Sequence, residues 1–188
     1  MPRFESAHLL LALLTLAEAG RMGRDALAAR TGLGKGAVRT VIGRLKAKGY
    51  VDSDASGCHL TPSGGRLSRE LGERISSLTP VGEGGPALGS KQVALAVRRS
   101  GRGVRAGIEQ RDSAIRSGAL GATTYLIKGG KFSIPGGSTD CEREFPGPVW
   151  GLLRRRIHPS DGDCVILCGA ESETAAKLGA LSAALTLL

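Results

Sequence analysis

Leu27-Ala-Ala-Arg-Thr-Gly-Leu33-Gly-Lys-Gly-Ala-Val38-Arg-Thr-Val-Ile42-Gly-Arg-Leu45-Lys-Ala-Lys-Gly-Tyr50-Val51 is the stretch on which the reading of this chain turns. Val38, Val41, Ile42 and Leu45 recur at i, i+3, i+4 and i+7, so a helix from about Lys35 to Lys48 has one apolar face. A shorter helix from Arg24 to Arg30 is closed by Thr31-Gly32, and Leu27 and Leu33 fall where the two helices must meet across a tight turn. The other face of the longer helix presents Lys35, Gly36, Arg39, Thr40, Arg44, Lys46 and Lys48. From Gly34 to Lys48 there are five basic residues and no acidic one. A helix buried on one side and uniformly basic on the other suits a duplex major groove, where Arg and Lys meet phosphates and Arg reaches guanine edges. The plainer alternative is a solvated face on a module used for protein contacts.

Outward from that stretch, Ala7 to Ala19 is expected as a helix stopped by Gly20. Tyr50 to Asp54 and Cys58 to Leu60 are expected as short strands around Ala55-Ser56-Gly57, and Thr61-Pro62 opens a further helix to about Leu78. With these neighbours the segment resembles the winged helix-turn-helix superfamily of prokaryotic regulators, especially the GntR and MarR types. The matching residues are Leu27 to Leu33, Val38-Arg39, Arg44-Leu45, Gly49-Tyr50-Val51 and Leu60-Thr61-Pro62-Ser63-Gly64. The resemblance covers residues 6 to 78 and implies double-stranded DNA as partner, with Lys35 and Arg39 at positions that commonly touch it. Three departures stand out: Gly34 replaces the usual Ser at the recognition-helix N-cap, Gly36 and Gly43 weaken that helix, and the wing tip carries no Lys or Arg.

Thr79 to Ser90 holds Pro80, Gly82, Gly84, Gly85, Pro86 and Gly89 without periodicity. The expected organisation is therefore a winged helix-turn-helix over 1–79, a linker over 80–90 and a second domain over 91–188. The second domain has strands at Gln92 to Arg98, Ala122 to Lys128, Lys131 to Ile134 and Cys164 to Cys168. Helices are expected at Ile108 to Ser117, Pro148 to Ile157 and Ser172 to Leu187. That order, β-α-β-β-α-β plus a helix, suggests a split βαβ, ferredoxin-like α+β fold. With the winged helix in front, this half resembles a family of archaeal predicted regulators. The likeness rests on Gly107-Ile-Glu-Gln-Arg-Asp-Ser-Ala-Ile115, Gly121-Ala-Thr-Thr124 and Gly129-Gly-Lys-Phe132 to Pro135-Gly136. It implies regulation and carries over no catalytic residues.

Bulk properties agree with a polyanion partner without choosing one. The net charge is +9 with a pI of about 9.9, and the hydrophobic fraction of 41% supports a core built with few aromatics. No apolar run reaches the roughly 18 residues of a membrane span. Leu9 to Ala17 precedes a cleavage-like Ala17-Glu18-Ala19, but Glu5 beside Arg3 weakens a signal leader, and a cytoplasmic location is expected. Cys58, Cys141, Cys164 and Cys168 have no disulfide or metal spacing and are expected as small buried hydrophobes. No Ser/His/Asp or Cys/His set is evident, so no catalytic residue, metal ligand or cofactor is expected. Asp140, Glu142, Glu144, Asp161 and Asp163 are expected as caps and turn formers.

Arg98, Arg99, Arg102 and Arg105 lie on a Gly-containing loop before a helix, and with Thr123 and Thr124 they outline a candidate cradle for a small anionic metabolite. Leu178, Leu181, Leu185 and Leu188, together with the leucines of the first helix, suggest a surplus of apolar surface and a homodimer. The competing reading is an enzyme acting on a small anionic substrate through the second domain, with the winged helix as a regulatory module.

Overall fold

Residues 6–82 and 85–188 are described by the computed structural model; Arg3, Glu5 and Gly84, used above, lie outside the described residues. Tertiary contacts divide the chain into two units between Gly72 and Glu73. The first contains α1 (Ser6–Ala19), β1 (Arg21–Met22), α2 (Arg24–Thr31), α3 (Lys35–Ala47), β2 (Val51–Asp54), β3 (Gly57–Leu60) and most of α4 (Pro62–Arg74). Its three strands form an antiparallel sheet in the order β1-β3-β2. This is the element order of a winged helix, with β2 and β3 as the wing. The buried face of α3 is Val38, Val41, Ile42 and Leu45, as the spacing requires.

α4 ends at Arg74 rather than at the expected Leu78. Ile75 pairs with Val97, and the Arg98 amide donates to the Arg74 carbonyl at 2.7 Å, so the chain leaves the helix to run beside a strand. The segment expected as a linker is likewise held in the second unit. β4 (Thr79–Pro80) pairs with β5 (Lys91–Val97). The buried Gln92 amide nitrogen donates to the carbonyls of Gly85 and Ala87 at 3.0 and 2.9 Å. These bonds satisfy a backbone that has no ladder of its own.

The second unit continues through a 3-10 turn (Gly101–Gly103), α5 (Ile108–Arg116), β6 (Gly121–Lys128), β7 (Lys131–Ser133), α6 (Cys141–Glu144), α7 (Pro148–Ile157), β8 (Cys164–Ala170) and α8 (Glu173–Leu185). The α+β class and the order of elements match the expectation. The ferredoxin-like topology does not. Its first and third strands would occupy the centre, whereas the observed antiparallel order is β4-β5-β8-β6-β7. Every residue of β8 is buried, and a strand apolar on both faces belongs where both faces are covered. The three-residue β7 begins with exposed Lys131 and suits an edge.

Helices cover the sheet on both sides. Trp150, Leu153 and Ile157 of α7 pack with Tyr125, Ile127, Val165 and Leu167 on one face. α5 and α8 pack together on the other, where a Cβ on Gly179 would come within 2.6 Å of Cys168 Sγ. Polar side chains join these two helices: Gln110 donates to Thr186 Oγ1 at 2.7 Å, and Ser113 and Ser182 share a bond of 2.9 Å. Of the leucines offered as dimer surface, Leu178 and Leu181 are buried in this packing and Leu185 and Leu188 are half-buried. In α1, Leu10, Leu11, Leu13 and Leu16 are buried and Leu9 and Leu14 half-buried.

Candidate nucleic-acid interface

α2 ends on Gly32 at φ 70°, a left-handed residue that turns the chain sharply into α3. Thr31 Oγ1 donates to the Leu27 carbonyl and accepts the Leu33 amide, which ties the turn to both sides of the corner. Beyond α3, Thr61 Oγ1 donates to the Gly49 carbonyl at 2.6 Å and accepts the Gly64 amide at 3.1 Å. One side chain thus caps α4 and pins the exit of α3. Gly64 lies so close to that exit that a Cβ there would be 1.9 Å from the Tyr50 carbonyl oxygen. These contacts explain Thr61 and Gly64 of the Leu60-Thr61-Pro62-Ser63-Gly64 motif, which fasten the chain leaving α3 to the start of α4.

On that face Lys35, Gly36, Arg39, Arg44, Lys46 and Lys48 are exposed and Thr40 is half-buried, its hydroxyl donating back to the Gly36 carbonyl at 3.2 Å. Lys35 pairs with Asp25 at 3.1 Å and Lys46 with Asp52 at 3.4 Å. Arg39 and Lys48 form no ion pair with a described residue. A groove runs between α3 and the wing turn, lined by Arg24, Arg39, Lys46 and Ser56 among others. Arg24, the first residue of α2, escaped the sequence reading. Its only signal was its position directly after the N-cap Gly23 of the helix preceding α3.

The wing itself is acidic. The Ser53 amide and then Lys46 hold the Asp52 carboxyl below its usual value, and Arg21 with the Ser56 amide does the same for Asp54. Both carboxylates are therefore charged at neutral pH. Gly36 and Gly43 have open space where a side chain would stand, so no packing within the chain requires glycine at either position.

Two of the six residues of the anion cradle are taken up inside the fold, Arg98 by an ion pair with Asp163 and Thr124 by burial. Arg98 is committed to Asp163 at 2.9 Å and to the α7 carbonyls of Ile157 and His158 at 2.8 and 3.1 Å. The Arg99 amide also donates to Asp163, as does the Ser160 amide at 3.0 Å. Asp163 is only 3% exposed; burial alone would raise its pKa, yet the two amides and Arg98 outweigh it and lower the value. This carboxylate ties two loops together; Arg99, whose amide it accepts, has a left-handed φ of 52°, and His158 ends α7 at a φ of 49°. Thr123 and Thr124 point to opposite faces of β6, Thr124 buried beside Gly107. Arg102 and Arg105 are exposed on the loop.

Of the other carboxylates named above, Asp140, Glu142 and Asp161 have structural partners. Asp161 accepts the amides of Gly129 and Gly130 at 2.9 and 2.7 Å, and Asp140 caps α6 and pairs with Lys131 at 2.8 Å. Among the described residues no group of three or more His, Cys, Asp or Glu could hold a metal ion. The four cysteines are buried and in no disulfide, and burial pushes the Cys168 thiol up to about 12. No described helix is long and apolar enough to cross a membrane.

Residues 88–187 match the family described as a domain of unknown function, DUF4443, and the chain belongs to that family. Its fold is similar to that of the hypothetical protein PH0730 from Pyrococcus horikoshii OT3, with a TM-score of 0.78 and 24% identity over 98% of this chain and 93% of that chain. No curated protein matches.

Proposed function

We propose that this chain binds double-stranded DNA through α3 and acts as a transcription regulator. The observation that carries the reading is α3 itself, with Val38, Val41, Ile42 and Leu45 buried and every outward charge basic. Arg24 and Arg39 line the adjoining groove and add cations at a second level. The ion pairs of Lys35 and Lys46 do not oppose this. Lys35 and Asp25 have side chains 78% and 80% exposed, and such pairs are worth at most about 1 kcal/mol, so a phosphate can displace the carboxylate. Bare glycine at positions 36 and 43 leaves room for a phosphodiester to approach the helix backbone. The wing, with Asp52 and Asp54 and no basic tip, contributes little to binding in the minor groove.

The test uses duplexes selected from genomic fragments by the purified chain, alongside random duplexes of equal length. Arg39→Ala should weaken the selected duplex by about 1–3 kcal/mol and bring it close to the random one, as loss of a base contact does. Lys48→Ala should weaken both duplexes alike, as loss of a phosphate contact does. Equal affinity of both variants and wild type would remove α3 from the interface.

A further inference from the structure

Two residues of the second unit adopt a backbone that suits glycine better than the side chains they carry. Arg99 has a φ of 52° and His158 one of 49°, and every other described residue of positive φ is a glycine. A Cβ is crowded in that region; histidine is found there more readily than arginine. Both residues stand at the same end of the sheet, where β5 finishes at Val97 and β8 begins at Cys164. Three loops are fastened together there. Asp163 accepts the Arg99 and Ser160 amides, the Gly101 amide donates to the Gly162 carbonyl at 2.9 Å, and the Ile127 amide donates to the Asp163 carbonyl at 3.1 Å. This fastening uses only the amide of Arg99, which glycine would supply at no steric cost. The Arg99 side chain is exposed and makes no ion pair with a described residue, so the fold itself has no use for it. Strained backbone of this kind persists where the side chain serves a function.

The same loops carry further cations. Arg102, Lys128 and Arg156 are exposed and, like Arg99, in no ion pair with a described residue. Nearby cations with a structural use are visibly paired: Arg98 with Asp163, Lys131 with Asp140 and Arg154 with Glu142. Asp161, the exposed carboxylate of these loops, turns its two oxygens to the Gly129 and Gly130 amides. Arg105 shares a cleft with Glu109 and stands outside the set. We propose that this end of the second unit is a further contact for the phosphate backbone of duplex DNA, distinct from α3 and blind to base sequence. The site rests on the proposed function for its partner and on the second unit alone for its residues. Unpaired cations spread over three loops on exposed side chains suit an extended polyanion, and guanidinium forks meet phosphate oxygens two at a time. His158, exposed at the left-handed turn that ends α7, adds a ring N–H donor for the same phosphates.

Arg99→Gly separates a binding role from a structural one. It removes a cation and relieves the backbone, so the full chain should melt no lower than wild type while binding a random duplex several-fold more weakly. The triple variant R99G/R102A/R156A should lose roughly tenfold or more in affinity for selected and random duplexes alike, and flatten the slope of log affinity against log salt by roughly two to three. Lys177→Ala removes a charge on α8 that is paired with Glu173 and should keep the wild-type affinity and slope. An Arg99→Gly chain that binds like wild type or melts several degrees lower, a triple variant with the wild-type slope, or a Lys177→Ala chain as weak as Arg99→Gly would each overturn the proposal. So would a triple variant that loses its hold on vesicles of anionic phospholipid while keeping its duplex affinity. Arg39→Ala and Lys48→Ala test α3 and leave these loops untouched, so the proposed function and this second contact fail in different variants.

Discussion

Asp163 shows how far a single residue departs from what its neighbours in sequence announce. Asp161-Gly-Asp163 has the look of a turn, and a turn it is, but Asp163 is also the anchor for Arg98 and for the amides of Arg99 and Ser160. Arg98, one of the four arginines of the candidate cradle, is for this reason a structural cation, and nothing local to it could have revealed a partner 65 positions away. Asp163→Asn should destabilise the chain by on the order of 3 kcal/mol at neutral pH, the scale of breaking a mostly buried ion pair. The pH dependence has a definite sign. Because the folded pKa is lowered, the carboxylate's contribution is full above its unfolded value near 3.8 and is lost as pH falls through the lower folded value. Thermal melts at pH 7 and pH 3 should therefore show a large gap between variant and wild type that narrows in acid; a gap independent of pH would refute the assignment.

At the scale of elements, helices were legible and sheet order was not. α3, α5 and α7 fall within a residue of their expected bounds because apolar spacing, glycine stops and Pro148 are local signals. β1, β4 and α6 went unseen because two to four residues are too few to carry a period. Sheet order depends on which strand is apolar on both faces, and the run Cys164 to Cys168 did hold that clue. Its seven-residue strand is the innermost partner of both β5 and β6, where the ferredoxin-like order would have set it at an edge. The docking of α4 on the end of α3 gives an element-scale prediction. Gly64→Ala forces a methyl into the Tyr50 carbonyl, which is backbone and cannot swing aside, so the first unit should lose about 2–3 kcal/mol. Chemical denaturation would register this as a lower midpoint, and an unchanged midpoint would mean that the helix slides freely over that turn.

For the whole molecule, the basic balance is the property most readily tied to a partner. Four cations on α3, with Lys48 at its C-cap and Arg24 lining the adjoining groove, form a basic surface, and under the proposed function its attraction for a duplex would come from neutralised phosphates, whatever the sequence bound. The existence of two units and the outward basic helix were legible from residues 27 to 51 and from the change of pattern after them. The division at Gly72 was not, because the segment to Ser90 lacks periodicity and yet is stitched to β5 by Gln92. The most direct measurement is the affinity of the full chain for a duplex across a series of salt concentrations. Each phosphate neutralised contributes about −0.9 to the slope of log affinity against log salt, so engagement of α3 predicts a slope steeper than about −2. It also predicts that Lys48→Ala flattens that slope by about one phosphate contact, whereas Arg39→Ala lowers affinity for the selected duplex with little change in slope. A slope near zero, or no retention of duplex at low salt, would contradict DNA binding by this chain.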